Sequence, residues 1–152
     1  MGTLTLPSSG HIYLDSSAII YSVERIEPHF SLLAPAWQQA EAGHFTVVCS
    51  ELVIAETLVR PIREHDLSLA AAFRSLFASR EMQLIPATRQ LWDAAAHLRA
   101  YTGLKTPDAL HAVTAQQVGC ALFVTNDSDF RRVERLPLAI LDDLLGDIPP
   151  KE

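Results

Sequence analysis

Apolar residues in this chain fall into short runs that alternate with longer stretches at helical spacing. The first run, His11-Ile12-Tyr13-Leu14, reads as a strand that stops at Asp15. Ser16 or Ser17 then serves as the cap of a helix carrying Ala18, Ile19, Ile20 and Tyr21. Residues 28–42 place Phe30, Leu33, Ala34, Trp37 and Ala40 on one helical side, and Gly43 ends them. A second strand is expected over 45–49, followed by a helix that Ser50 caps and Pro61 breaks or kinks. A helix over 66–80, a third strand over 82–85 and a helix from Thr88 to Gly103 come next. Thr106-Pro107-Asp108 opens a further helix that ends near Gly119, with proline at the favoured first position. The fourth strand is expected over 121–124 and the fifth over 137–141.

Short apolar strands alternating with helices predict an α/β fold: three α/β/α layers around a central, mostly parallel five-stranded sheet. The 152 residues form one domain over 11–145, with a lead-in segment over 1–10 and a tail over 146–152. With 49% hydrophobic and 20% charged residues the chain is globular rather than disordered. No apolar run approaches the roughly 20 residues that span a bilayer. The opening MGTLTLPSSGH has none of the parts of a secretory signal, so a cytoplasmic location is expected. Cys49 and Cys120 are too few for a disulfide scaffold and are expected as buried thiols.

Charge narrows function further. Eighteen acids against 12 bases leave a net charge of −6, which argues against a protein that holds nucleic acid by overall charge. A nucleic-acid enzyme with a metal site remains compatible, because such a site concentrates carboxylates. In a parallel α/β sheet chemistry sits beyond the carboxyl ends of the strands. Asp15 follows the first strand directly; Asp127 and Asp129 follow the fourth; Glu56 lies on the helix after the second; Asp108 opens the helix before the fourth. Acids gathered in this way suit a hard divalent cation such as magnesium or manganese. Each acid also has an ordinary reading: Asp108 as a favourable charge at a helix start, Asp127 and Asp129 as turn or cap residues, Glu56 as a solvent-edge residue. Asp15 is the hardest to explain so, since Ser16 could meet the capping need.

Three segments, IYLDSSAIIY, SELVIAETLV and KTPDALHAVTAQQVGCALFVTNDSDF, resemble the PIN-domain ribonucleases, and among them the VapC-type toxins of toxin–antitoxin modules. The likeness runs from His11 to about Leu141, and the last segment is its most specific part. It implies that Asp15, Glu56, Asp108 and Asp127 are catalytic acids that bind the metal, with Asp129 a weaker ligand and Ser17 and Thr125 in support. Glu51 is a nearby alternative to Glu56. The resemblance further implies hydrolysis of RNA phosphodiester bonds with Mg2+ or Mn2+, a homodimer, and a cognate VapB-type antitoxin that silences the site.

Arg60 and Arg63 lie just past Glu56, and Arg131, Arg132 and Arg135 just past Asp127; they either grip RNA phosphates or form an ordinary solvated face. Lys105 is placed to pair with Asp108 or to touch substrate. The six histidines show no zinc spacing, and no serine lies in the context of a nucleophile elbow. Trp37, Trp92, Phe73 and Phe77 occupy core positions, with Trp37 also a candidate wall of an antitoxin groove. The alternatives are a PIN nuclease of RNA processing, a catalytically silent PIN-like binding module, and a metal-dependent phosphatase of small phosphoesters.

Overall fold

A computed structural model describes residues 2–146. Five strands form one sheet: β1 (His11–Leu14), β2 (Thr46–Ser50), β3 (Met82–Ile85), β4 (Leu122–Thr125) and β5 (Leu138–Ile140). Their order is β3-β2-β1-β4-β5, and every neighbouring pair is parallel, so the sheet is wholly rather than mostly parallel. The three inner strands are the most deeply buried for that reason. Ile12, Tyr13 and Leu14 are completely buried, as are Val47, Val48 and Cys49 on β2 and Phe123 and Val124 on β4.

Helices α1 (Ser16–Val23) and α2 (His29–Glu41) link β1 to β2, and α3 (Leu52–Arg63) and α4 (Leu67–Phe77) link β2 to β3. The chain thus builds outward from β1 on one side. Helices α5 (Arg89–Thr102) and α6 (Thr106–Val118) then carry it back across β1 to β4. Right-handed crossovers running in opposite directions put α5 and α6 on the face opposite α1–α4. The reversal of direction falls between β1 and β4, whose carboxyl ends therefore flank the crevice where such sheets bind ligands.

Local chemistry accounts for several helix ends. Asp15, Asp66 and Thr88 cap α1, α4 and α5 by accepting from the backbone N–H groups of Ala18, Leu69 and Leu91. The cap of α1 is therefore Asp15 and not the serines after it. Ser50 ends β2, and its hydroxyl accepts from the Leu52 N–H. Pro61 does not interrupt α3: it lies in the last turn and the helix runs on to Arg63. The helix expected over 66–80 stops at Phe77.

Gly119 closes α6 at φ 64° and ψ 45°, with nothing within 4 Å of where a Cβ would sit. Its need is conformational rather than steric. Gly119→Ala is expected to cost about 1 kcal/mol, lowering the thermal midpoint by roughly 2–4 °C. An unchanged melting curve would contradict that account of the turn.

Two features had no sequence signal: a single 3-10 turn over Ser128–Arg132 and a short helix α7 (Leu141–Leu144). The lead-in packs against α7, with Gly2 N–H donating to the Leu144 carbonyl and Leu4 buried in the core. The expected tail lies, apart from Gly146, outside the described residues. Trp92 is 43% exposed instead of buried, at the rim of a shallow apolar pocket with Leu52, Ile54, Ala55, Ala87 and Leu110. Phe73 is buried, and Trp37 donates its indole N–H to Ser22 between α2 and α1. Cys49 is buried, Cys120 is only half-buried, and both are free thiols. Among the described residues no helix is long and apolar enough to cross a membrane.

Candidate active site

Asp15 leaves the end of β1 beside the end of β4, its N–H donating to the Val124 carbonyl. Its carboxylate is buried and accepts three hydrogen bonds, which leaves Oδ2 with acceptor capacity to spare. Oδ1 accepts from the Ser17 hydroxyl at 2.7 Å and the Ala18 N–H at 3.1 Å; Oδ2 accepts from the Thr125 hydroxyl. Burial raises the Asp15 carboxyl above its ordinary value, against the lowering effect of Thr125, His111, Ser17 and Ala18. Thr125 also accepts from the Asp127 N–H at 3.0 Å, and Ser17 from the Asn126 N–H at 3.2 Å. The two hydroxyls thus tie the end of β1 to the loop after β4.

Asp127 caps the 3-10 turn, with Oδ1 accepting from the Asp129 N–H at 2.8 Å. Asp108 stands half-buried in the first turn of α6. Burial raises its carboxyl, and the charges of Asp127, Asp15 and Glu56 push the same way against the lowering effect of His111. Asp127, Asp15 and Glu56 are thus close enough to Asp108 to disfavour its charge. Asp129 points elsewhere, pairing with Arg132 at 3.3 Å.

Glu56 projects from α3, and its Oε1 accepts from Nε2 of His111 at 2.6 Å. Glu51 is separate, accepting from the Ala87 N–H before α5, so Glu56 is the α3-side acid of this cluster. His111, 1% exposed, is a residue to which the sequence reading assigns no place in the site. Its only signal there was the three-residue spacing from Asp108, which places both on one side of α6. Burial opposes an imidazolium at His111, but the contacts with Cys49 and Glu56 outweigh it and raise the group to about 10.

The arginines divide. Arg60 pairs with Glu24, Arg131 with Asp143 and Arg132 with Asp129, while Arg63 is exposed. Lys105 is exposed and makes no ion pair with Asp108 among the described residues.

Among the described residues no three histidine, cysteine or acidic side chains are arranged as a ready metal shell. In kind, however, the donors fit a hard divalent cation. Four carboxylates converge, and none is neutralised by an arginine or lysine among the described residues.

Fold and site together define a doubly wound parallel α/β domain with an acidic centre at its switch point. The chain belongs to the PIN domain family, whose sequence profile matches residues 12–136. No curated protein matches it by sequence. Among solved structures it is similar to VapBC2 from Rickettsia felis bound to a DNA fragment from its promoter, at 19% identity and a TM-score of 0.66, covering 85% of this chain and 98% of that one. It is also similar to Mycobacterium tuberculosis VapC20, a sarcin-ricin loop cleaving toxin, at 17% identity and a TM-score of 0.68, covering 83% and 97%. A toxin–antitoxin complex from Klebsiella pneumoniae matches at 20% identity and a TM-score of 0.57, covering 86% and 97%. These likenesses establish a shared fold.

Proposed function

We propose that this chain is a VapC-type toxin: an endoribonuclease dependent on Mg2+ or Mn2+ and silenced by a cognate VapB-type antitoxin. The observation that carries the reading is the gathering of Asp15, Glu56 and Asp127 around Asp108 at the switch point, with no arginine or lysine paired to them among the described residues. PIN proteins are nucleases, which supports a hydrolase acting on nucleic acid, and the toxin folds it resembles support the finer assignment.

Asp15, Glu56, Asp108 and Asp127 would hold the cation, which when bound offsets charge on the scissile phosphate and lowers the pKa of water. The chain's own part is preorganisation. Ser17, Thr125 and the Ala18 N–H lock the Asp15 carboxylate in one orientation. The capped 3-10 turn fixes Asp127 over β4. Asp129 is a weaker candidate ligand, being bound to Arg132. Arg60, Arg63, Arg131 and Arg132 remain candidates for phosphate contacts, all but Arg63 by exchanging an acid for RNA. A homodimer belongs to the reading. Apolar side chains exposed at Val59 and Ile62 on α3, at Leu67 on α4 and at Tyr101 support protein contacts of that kind.

The test is incubation of the purified chain, free of antitoxin, with total RNA and manganese, beside a chelator control. Discrete fragments that vanish with chelator are the expected result. A folded chain that neither binds manganese nor cuts RNA would overturn the reading and favour a silent binding module.

A further inference from the structure

Beneath the acidic cluster a buried chain of hydrogen bonds runs from β2 through β1 and α6 to Glu56. The Ser50 N–H donates to the Tyr13 hydroxyl at 2.9 Å, which lies 2.6 Å from Nδ1 of His111, whose Nε2 lies 2.6 Å from Oε1 of Glu56. Tyr13 is completely buried and His111 nearly so, whereas the Glu56 side chain is 24% exposed. Each link has a fixed direction at its outer end. The Ser50 N–H can only donate, and an ionised Glu56 can only accept. The Nε2 atom therefore carries the proton that faces Glu56, whether or not Nδ1 carries another.

The anchoring is rigid on every side but one. Tyr13 stacks on Phe123 with ring centres 5.0 Å apart and meets the His111 ring edge-on at 5.7 Å. His111 has no freedom to leave without stranding a buried polar ring. Glu56 by contrast is a flexible side chain on a half-exposed helix position, which alone would sample several rotamers. One of its oxygens is held by the imidazole. The other, Oε2, has among the described residues only a 3.4 Å contact from the Ser16 hydroxyl and stays available.

We propose that His111, braced by the Tyr13 hydroxyl, is a positioning residue that holds Glu56 by one oxygen and presents the other to the acidic centre. The inference rests on the nuclease reading above and adds to it the device that makes Glu56 usable. It also explains a spacing. Asp108 and His111 are one turn apart on α6, so a single helix both supplies one acid and orients another from α3.

The test compares His111→Leu, His111→Gln and Tyr13→Phe in the full chain, alone and with Glu56→Gln. Readouts are manganese affinity by calorimetry, kcat and KM on RNA, and thermal stability. Loss of an outer hydrogen bond to a ligand typically weakens metal binding or activity about 10–100-fold. His111→Leu is expected to show a loss of that size in manganese affinity and kcat, with KM for RNA little changed. His111→Gln, which keeps a donor near Nε2, is expected to recover most of it. In the Glu56→Gln background the histidine change is expected to add less than about twofold, because the two act as one unit. Tyr13→Phe removes the brace and the acceptor of the Ser50 N–H but keeps the core filled, so it carries the test if His111→Leu fails to fold. If the wild-type chain binds manganese and cuts RNA, and folded His111→Leu or Tyr13→Phe does both equally well, the positioning role is wrong and the nuclease reading stands. If the wild-type chain does neither, the nuclease reading falls and this inference with it.

Discussion

Asp108→Asn is expected to abolish RNA cleavage while making the metal-free protein more stable. The two effects share one cause. Asp108 is half-buried, makes no hydrogen bond or ion pair among the described residues, and has its carboxyl raised by burial and by Asp127, Asp15 and Glu56. Its charge is thus tolerated less well in the folded chain than in the unfolded one. A group with a raised folded pKa carries a penalty at neutral pH that is relieved as pH falls through that pKa, and is gone below the unfolded value of about 3.9. Asparagine keeps the shape without the charge. The melting temperature of Asp108→Asn at pH 7 should therefore exceed that of the wild type, and the gap should close on acidification. Addition of manganese should stabilise the wild type only, by mass action on the folded state. Cleavage should fall by about 10²-fold or more, since 2.7 kcal/mol of lost charge stabilisation already gives that factor.

Asp15→Asn separates the two effects. It should lose activity equally, but without the gain in stability. Asp15 accepts from Ser17, Ala18 and Thr125, and an amide has one acceptor oxygen where the carboxylate has two. Relief of a buried charge is there offset by a broken hydrogen bond. Equal stabilisation by both variants in thermal melts would refute this distinction.

The second large effect lies in the core. Phe130 is completely buried, and its ring packs 4.8 Å from Phe123, which stacks in turn on Tyr13. Phe130 sits in the 3-10 turn that Asp127 caps, so its side chain pins the acid-bearing loop to the sheet. Phe130→Ala is expected to cost about 3–5 kcal/mol, a large share of a domain's typical 5–15 kcal/mol. Phe130→Leu should cost clearly less, because it keeps most of the volume. Denaturant titration measures both. In whatever fraction stays folded, manganese affinity should also fall in the alanine variant, as Asp127 loses its anchor. A loss below about 1 kcal/mol would mean that the loop is held by Thr125 and Ser17 rather than by packing.

Much of the architecture was legible because it depends on local periodicity. The short apolar runs IYL, VVC and LFV, each set between helical stretches, read as inner strands of a parallel sheet, and Gly103 and Gly119 mark helix ends through their left-handed backbone. The placement of acids at strand ends was legible for the same reason: Asp15 directly follows an apolar run. Boundaries were less so. Pro61 read as a breaker, yet a proline in the last turn of α3 removes little that the helix needs. Trp92 read as core, yet its side of α5 borders only a shallow pocket.

What the sequence determined by itself was the alternation of strand and helix, hence the α/β class, and the set of acids at strand ends. Hydrophobic period and capping chemistry act within a few residues, so they can be read in one dimension. The tertiary structure alone decided the strand order that sets β1 beside β4, the union of Asp15 with Thr125, and the Ser50–Tyr13–His111–Glu56 chain. Those pairings join residues up to 110 positions apart. They follow from which buried polar groups must find partners once the sheet is assembled, a requirement that arises only in the folded chain.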